Sequence, residues 1–109
     1  MDNINFSTKK KLIPIIIQEE KTKDVLMLGY MDKKALTKTS ESGWVYFWSR
    51  KRRKLWMKGE ESGNKLKVKK VYLDCDGDTI LILATIIGKN ICHTGNKTCF
   101  KTVLTKDNI

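Results

Sequence analysis

The chain has one histidine, one proline and three cysteines among 109 residues, and each scarcity excludes something. An odd number of cysteines without an export signal argues against a disulfide framework. Metal ligation, a reactive thiol or plain buried cysteine remain. No apolar run approaches the roughly 18 residues that a membrane-spanning helix needs, so no membrane partner is expected. The opening MDNINFSTKK lacks the apolar core of a secretory signal, and the expected location is cytoplasmic. Acid is also scarce: 12 Asp and Glu stand against 22 Lys and Arg, a formal charge of +10. Such a surface attracts nucleic acid, anionic lipid or a phosphorylated small molecule, or does no more than keep the chain soluble.

With 40% hydrophobic residues, the chain can build one core, and a single domain spanning residues 1–109 is expected. Residues 1–9 are polar and expected to be poorly ordered. KLIPIII reads as a strand, with Pro14 at its start or on a sheet edge. The polar QEEKTK leads to DVLMLGY, the return arm of a hairpin. Asp32 sits where an N-cap belongs and Gly43 where a helix stops, predicting a short helix over KKALTKTSES with Met31, Ala35 and Leu36 on one face. WVYFWS is a strand by its aromatic and β-branched content. KLKVKKVYLD alternates, but its phase slips, which predicts a bulge near Lys69–Lys70. TILILATII is apolar on both parities, so it belongs in the centre of a sheet or at a subunit contact. The fold class is α+β, β-dominated, with antiparallel strands and one or two short helices.

Three stretches carry chemistry. In LDCDGD, Asp74, Asp76 and Asp78 crowd three like charges beside an apolar strand, where they repel one another and are costly to desolvate. If extended, they share one face as hard oxygen ligands suited to Mg²⁺, and Cys75 points the other way. The plainer reading is a solvated acidic turn, since Asp-Gly is a turn dipeptide. An EF-hand is excluded, because the glycine falls at the fourth loop position and Thr85 stands at the twelfth. In CHTGNKTC, Cys92 and Cys99 enclose six residues; with Cys75 they offer three thiolates and leave a fourth tetrahedral position open, the layout of a catalytic zinc. His93 is a fourth ligand, a base, or a histidine hydrogen-bonded in a turn. In WSRKRRKLWMKGEESGN, five consecutive basic residues stand between Trp48 and Trp56. Arginine forks grip phosphates and indoles stack on bases, whereas the plainer reading is a basic hairpin tip with its tryptophans in the core.

These three segments in this order, preceded by VLMLGYMDKKALTKT, resemble phosphoribosyl-AMP cyclohydrolase of histidine biosynthesis over roughly residues 11 to 101. The resemblance implies zinc-dependent hydrolytic opening of the adenine ring of phosphoribosyl-AMP by an intertwined homodimer. It implies Zn²⁺ on Cys75, Cys92 and Cys99, from both subunits, and Mg²⁺ on Asp74, Asp76 and Asp78. His93 is the candidate catalytic base, and Arg50, Arg53, Lys58, Ser62 and Asn64 are candidates for holding the phosphorylated nucleotide. No nucleic-acid partner and no fused pyrophosphohydrolase are expected. Thr98 stands where relatives often carry Ser. The rival readings are a basic nucleic-acid-binding module with a structural zinc, which leaves the three aspartates without a purpose, and a metal-free interaction module.

Overall fold

The computed structural model describes Ile4 and residues 12–109; the expectation for residues 1–9 otherwise lies outside the described residues. Among the described residues, six strands and one α-helix follow one another as β1 (Ile13–Glu19), β2 (Val25–Met31), α1 (Lys33–Ser42), β3 (Tyr46–Ser49), β4 (Lys54–Met57), β5 (Lys65–Leu73) and β6 (Ile80–Ile87), with a 3₁₀ turn at Lys106–Asn108. β2, β1, β6 and β5 form one sheet in that order, and β3 and β4 form a separate hairpin. The expected β-dominated α+β class is what the chain adopts, with one qualification. β1 and β6 pair in parallel, Ile15 opposite Ile80 through Glu19 opposite Ala84, so the larger sheet is mixed.

Register explains where the core lies. Ile15 and Ile17 stand beside Ile80 and Ile82 in the ladder, and partners in register point to the same face. All four are at most 1% exposed, together with Ile13, Leu26, Leu66 and Phe47. Pro14 lies ahead of the first β1–β6 pair and matches only Tyr30 of β2, so the ring that cannot donate sits at the strand start. β6 is central, as its two apolar parities require, and β5 slips register between Val68 and Lys70, which leaves Lys69 as the extra residue.

α1 begins where Asp32 accepts a hydrogen bond from the Ala35 amide at 2.8 Å, and ends where the Gly43 amide donates to the Thr39 carbonyl at 2.9 Å. Its buried residues Ala35, Leu36 and Thr39 face the core. The β3–β4 hairpin joins the same layer. Gly29 of β2 makes this approach possible: a Cβ there would stand 2.5 Å from the Phe47 ring, a clash that a buried ring cannot relieve cheaply. Val45 donates to Leu66 at 3.1 Å and Lys58 to Val45 at 3.0 Å, fastening the hairpin to β5. No helix among the described residues is long and apolar enough to cross a membrane.

Candidate active site

The acidic stretch is not extended. β5 ends at Leu73 and β6 starts at Ile80, and residues 74–79 form the turn between them, so the conditional alternation of the aspartates on a strand does not apply and the turn reading does. Asp74 organises it. Its amide donates to the Thr79 carbonyl at 3.0 Å and its carbonyl accepts from Gly77 at 3.1 Å. Its Oδ1 accepts from the amides of Asp78 at 3.0 Å and Thr79 at 3.2 Å. Gly77 takes φ 74°, a conformation that favours glycine. Some desolvation works against ionisation of Asp74, but the donors from Asp78, Thr79 and Gly77 outweigh it and hold the carboxyl below its ordinary value. One oxygen from each of Asp74, Asp76 and Asp78 lies within 4.8 Å of the others, and all three residues are exposed. A turn, the plainer of the two arrangements the sequence allowed, therefore gathers the carboxylates in a set that suits a hard cation. Cys75 sits exposed on the same turn.

The second centre lies beyond β6. Cys92 donates its amide to Asn96 at 3.0 Å and accepts from Gly95 at 3.0 Å, a tight loop that brings the chain back on itself. The returning arm docks on the edge of β2: the Cys99 amide donates to Leu26 at 2.8 Å, and the Thr98 hydroxyl to Val25 at 2.7 Å. Lys97 secures it further, with its Nζ 2.6 Å from Glu19 and 2.9 Å from Asp24. The Cys92 and Cys99 side chains consequently lie close enough to influence each other's ionisation. Cys92 is 8% exposed. The Thr94 hydroxyl, 2.9 Å from its Sγ, and the Thr94 amide lower its pKa, with smaller help from Cys99 and Lys101. Burial, followed by the charge of Cys92, raises that of Cys99. Lys101 completes the group by donating to Thr94 Oγ1 at 2.5 Å.

A cleft of about 360 Å³ adjoins this loop, lined by His93, Lys58, Trp56, Arg52 and Ser62. Two of the expected substrate residues, Lys58 and Ser62, are therefore in it, whereas three are elsewhere. Arg50 lies with its guanidinium 4.0 Å from the Tyr30 ring centre, lining a second cleft of about 520 Å³ with Tyr30, Trp48 and Lys51. Arg53 is exposed in the β3–β4 turn with φ 53°. Asn64 does not line the cleft; its Oδ1 accepts from the Lys89 amide at 2.9 Å and braces the exit from β6. Trp56 walls both clefts and meets Phe47 at 5.7 Å between ring centres.

Cys75 is not with the other two thiols. Cys99 docks on β2 and Cys75 follows β5, the two edge strands of the sheet. Three strand spacings, about 14 Å, separate those edges. Among the described residues, the three aspartates form the one group of three or more metal-ligating side chains close enough to share an ion. Two adjacent thiols, one of them inclined to ionise, are the donor chemistry zinc prefers, but they fill only half of a tetrahedron. Spacing did not reveal Thr94, Lys97 or Lys101. A hydroxyl two residues after a thiol is a local cue for Thr94, but the partners of Lys97 lie 73 and 78 positions upstream and leave none.

A family model described as phosphoribosyl-AMP cyclohydrolase matches residues 27–101. The phosphoribosyl-AMP cyclohydrolase of Clostridium beijerinckii is 51% identical over 100 residues, 92% of this chain and 91% of the relative. That of Clostridium botulinum strain Alaska E43 is 54% identical over 97 residues, 89% and 88% of the two chains. The histidine biosynthesis bifunctional protein HisIE of Campylobacter jejuni is 51% identical over 102 residues, 94% of this chain and 49% of its own. This chain thus spans about half the length of that bifunctional relative.

Proposed function

This chain belongs to the phosphoribosyl-AMP cyclohydrolase family, and from that premise we propose that it opens the adenine ring of 1-(5-phosphoribosyl)-AMP by hydrolysis. Water adds to the amino-bearing ring carbon, and the bond from that carbon to the adjacent substituted ring nitrogen breaks. The amino group stays behind as the carboxamide nitrogen, giving the phosphoribosyl-formimino aminoimidazole carboxamide ribonucleotide without release of ammonia. The observation that carries the reading is the Cys92–Cys99 thiol pair beside a cleft that holds the only histidine.

Zinc fits that pair as a site completed by a second copy of the chain, with Cys75 of the partner subunit as the third thiolate. When bound, it supplies Lewis acidity that makes hydroxide available near neutral pH. Three thiolates confer less of that acidity than neutral imidazoles would, which gives His93 its role: it accepts the proton of the attacking water and returns one to the departing ring nitrogen. Asp74, Asp76 and Asp78 would hold Mg²⁺, which cancels their mutual repulsion and offers a charge for a substrate phosphate. Arg52 and Ser62 in the cleft, and Arg50 across Trp56, would hold the two phosphoribosyl ends, with Arg53 at the rim of the same hairpin.

The direct test follows ring opening by absorbance on purified protein with its metal content measured. Activity is expected to vanish with a strong chelator and to return with Zn²⁺. Metal-replete protein that leaves phosphoribosyl-AMP intact, yet binds nucleic acid with affinity falling steeply in salt, would favour the basic binding module instead. His93→Ala should lower kcat by about 10²-fold or more while zinc content holds. If that variant instead loses its zinc, the histidine is a ligand and the base must be found elsewhere.

A further inference from the structure

We propose that Lys58 is a positioning residue for the Cys92–Cys99 pair, holding the metal loop through the Ile91 carbonyl, and that it does not serve as a grip for substrate phosphate. The inference rests on reading those cysteines as zinc ligands. Lys58 follows β4, and its own amide is tied to Val45 at 3.0 Å. Its Nζ donates to the Ile91 carbonyl at 2.8 Å, a link between positions 33 residues apart. Ile91 is 1% exposed and immediately precedes Cys92. The bond therefore fixes the peptide that aims the first thiol, just as Lys97 and Thr98 fix the arm that aims the second.

Charge points the same way. The ammonium is half-buried; burial lowers its pKa, and Cys99 and Cys92 are close enough to act against that. Trp56, whose ring centre is 5.9 Å from Nζ, limits its freedom to swing outward. An ammonium so enclosed and already donating to a carbonyl is poorly placed to travel to a phosphate. Arg52 lines the same cleft from an exposed turn, its guanidinium 6.0 Å from the same ring centre, so what sets Lys58 apart is its bond to the Ile91 carbonyl.

The two roles separate in protein that has never met substrate. Zinc affinity is measured by competition with a chromophoric chelator for wild type, Lys58→Met and Lys58→Gln, with folding checked by circular dichroism. Lys58→Met is expected to bind zinc about 10- to 100-fold more weakly, the range for groups that orient metal ligands. Lys58→Gln keeps a donor for the Ile91 carbonyl and should recover part of that loss, and at saturating zinc KM should stay within about twofold of wild type in both. A folded Lys58→Met with unchanged zinc affinity and a raised KM would overturn the inference in favour of a phosphate grip. Should Lys58→Met not fold, Lys58→Gln with wild-type zinc affinity and raised KM would overturn it equally. Wild-type protein that binds no zinc would bring down the metal reading along with this one, an outcome distinct from both.

Discussion

Cys92→Ser is expected to abolish turnover and to strip the protein of zinc, and it is the substitution with the largest effect on a single chain. Serine replaces the thiol by a hydroxyl of nearly the same shape, so the packing around a residue that is 8% exposed should survive. The chemistry does not survive. A thiol held below its ordinary pKa by Thr94 becomes a hydroxyl that does not ionise near neutral pH, and zinc requires the deprotonated ligand. Changing groups that only orient ligands costs about 10- to 100-fold in affinity, so removing a ligand should cost more. Thermal unfolding close to wild type, with zinc below stoichiometric and no ring opening, is the expected combination. A variant that remains active and zinc-replete would sink the ligand assignment.

Much of this fold could be read locally because its signals are local. Asp32 and Gly43 bound α1 through bonds made within four residues. The slipped alternation of β5 appears as a register shift at Lys69 because parity is fixed by the pleat. The parallel pairing of β1 with β6 was not legible, since periodicity reports which face is buried and says nothing about the neighbouring strand. The acidic turn shows two local signals in competition. Alternating aspartates suggested a strand, Asp-Gly suggested a turn, and the Asp74 side chain decided for the turn by capping two amides. The surroundings of Asn64 and Arg50 were not legible for another reason. Position in a motif does not tell whether a side chain is already committed, and these two are held by the Lys89 amide and the Tyr30 ring.

Under the proposal of a shared zinc site, one chain carries two of the three thiols at one edge of the sheet and the third at the other, and both edges are suited to a second copy. Val71, Tyr72 and Leu73 are 50%, 44% and 37% exposed on the stretch of β5 that leads into the Cys75 turn. Val25 and Leu28 are each 43% exposed on β2, which carries Cys99. Apolar groups on both edges, each next to a cysteine lacking its partners, fit an isologous contact in which the edge of one copy meets the opposite edge of the other.

That geometry makes complementation between inactive variants the sharpest test of the shared site. Cys75→Ser and Cys92→Ser should each be inactive alone. In a mixed dimer, the Cys75→Ser chain still offers Cys92 and Cys99, and the Cys92→Ser chain still offers Cys75. One of the two sites is then whole and the other lacks two thiols. With random pairing of equal amounts, half of the dimers are mixed and each has one working site, so about a quarter of wild-type activity should return. Co-expression with two different affinity tags and sequential purification isolates the mixed species, in which about half of wild-type activity and one zinc per dimer are expected. If the isolated mixed dimer stays as inactive as its parents, no site can be using cysteines from both chains. The distance between the two edges of the sheet would then have to be closed within a single chain, by a rearrangement that breaks the docking of Cys99 on Leu26.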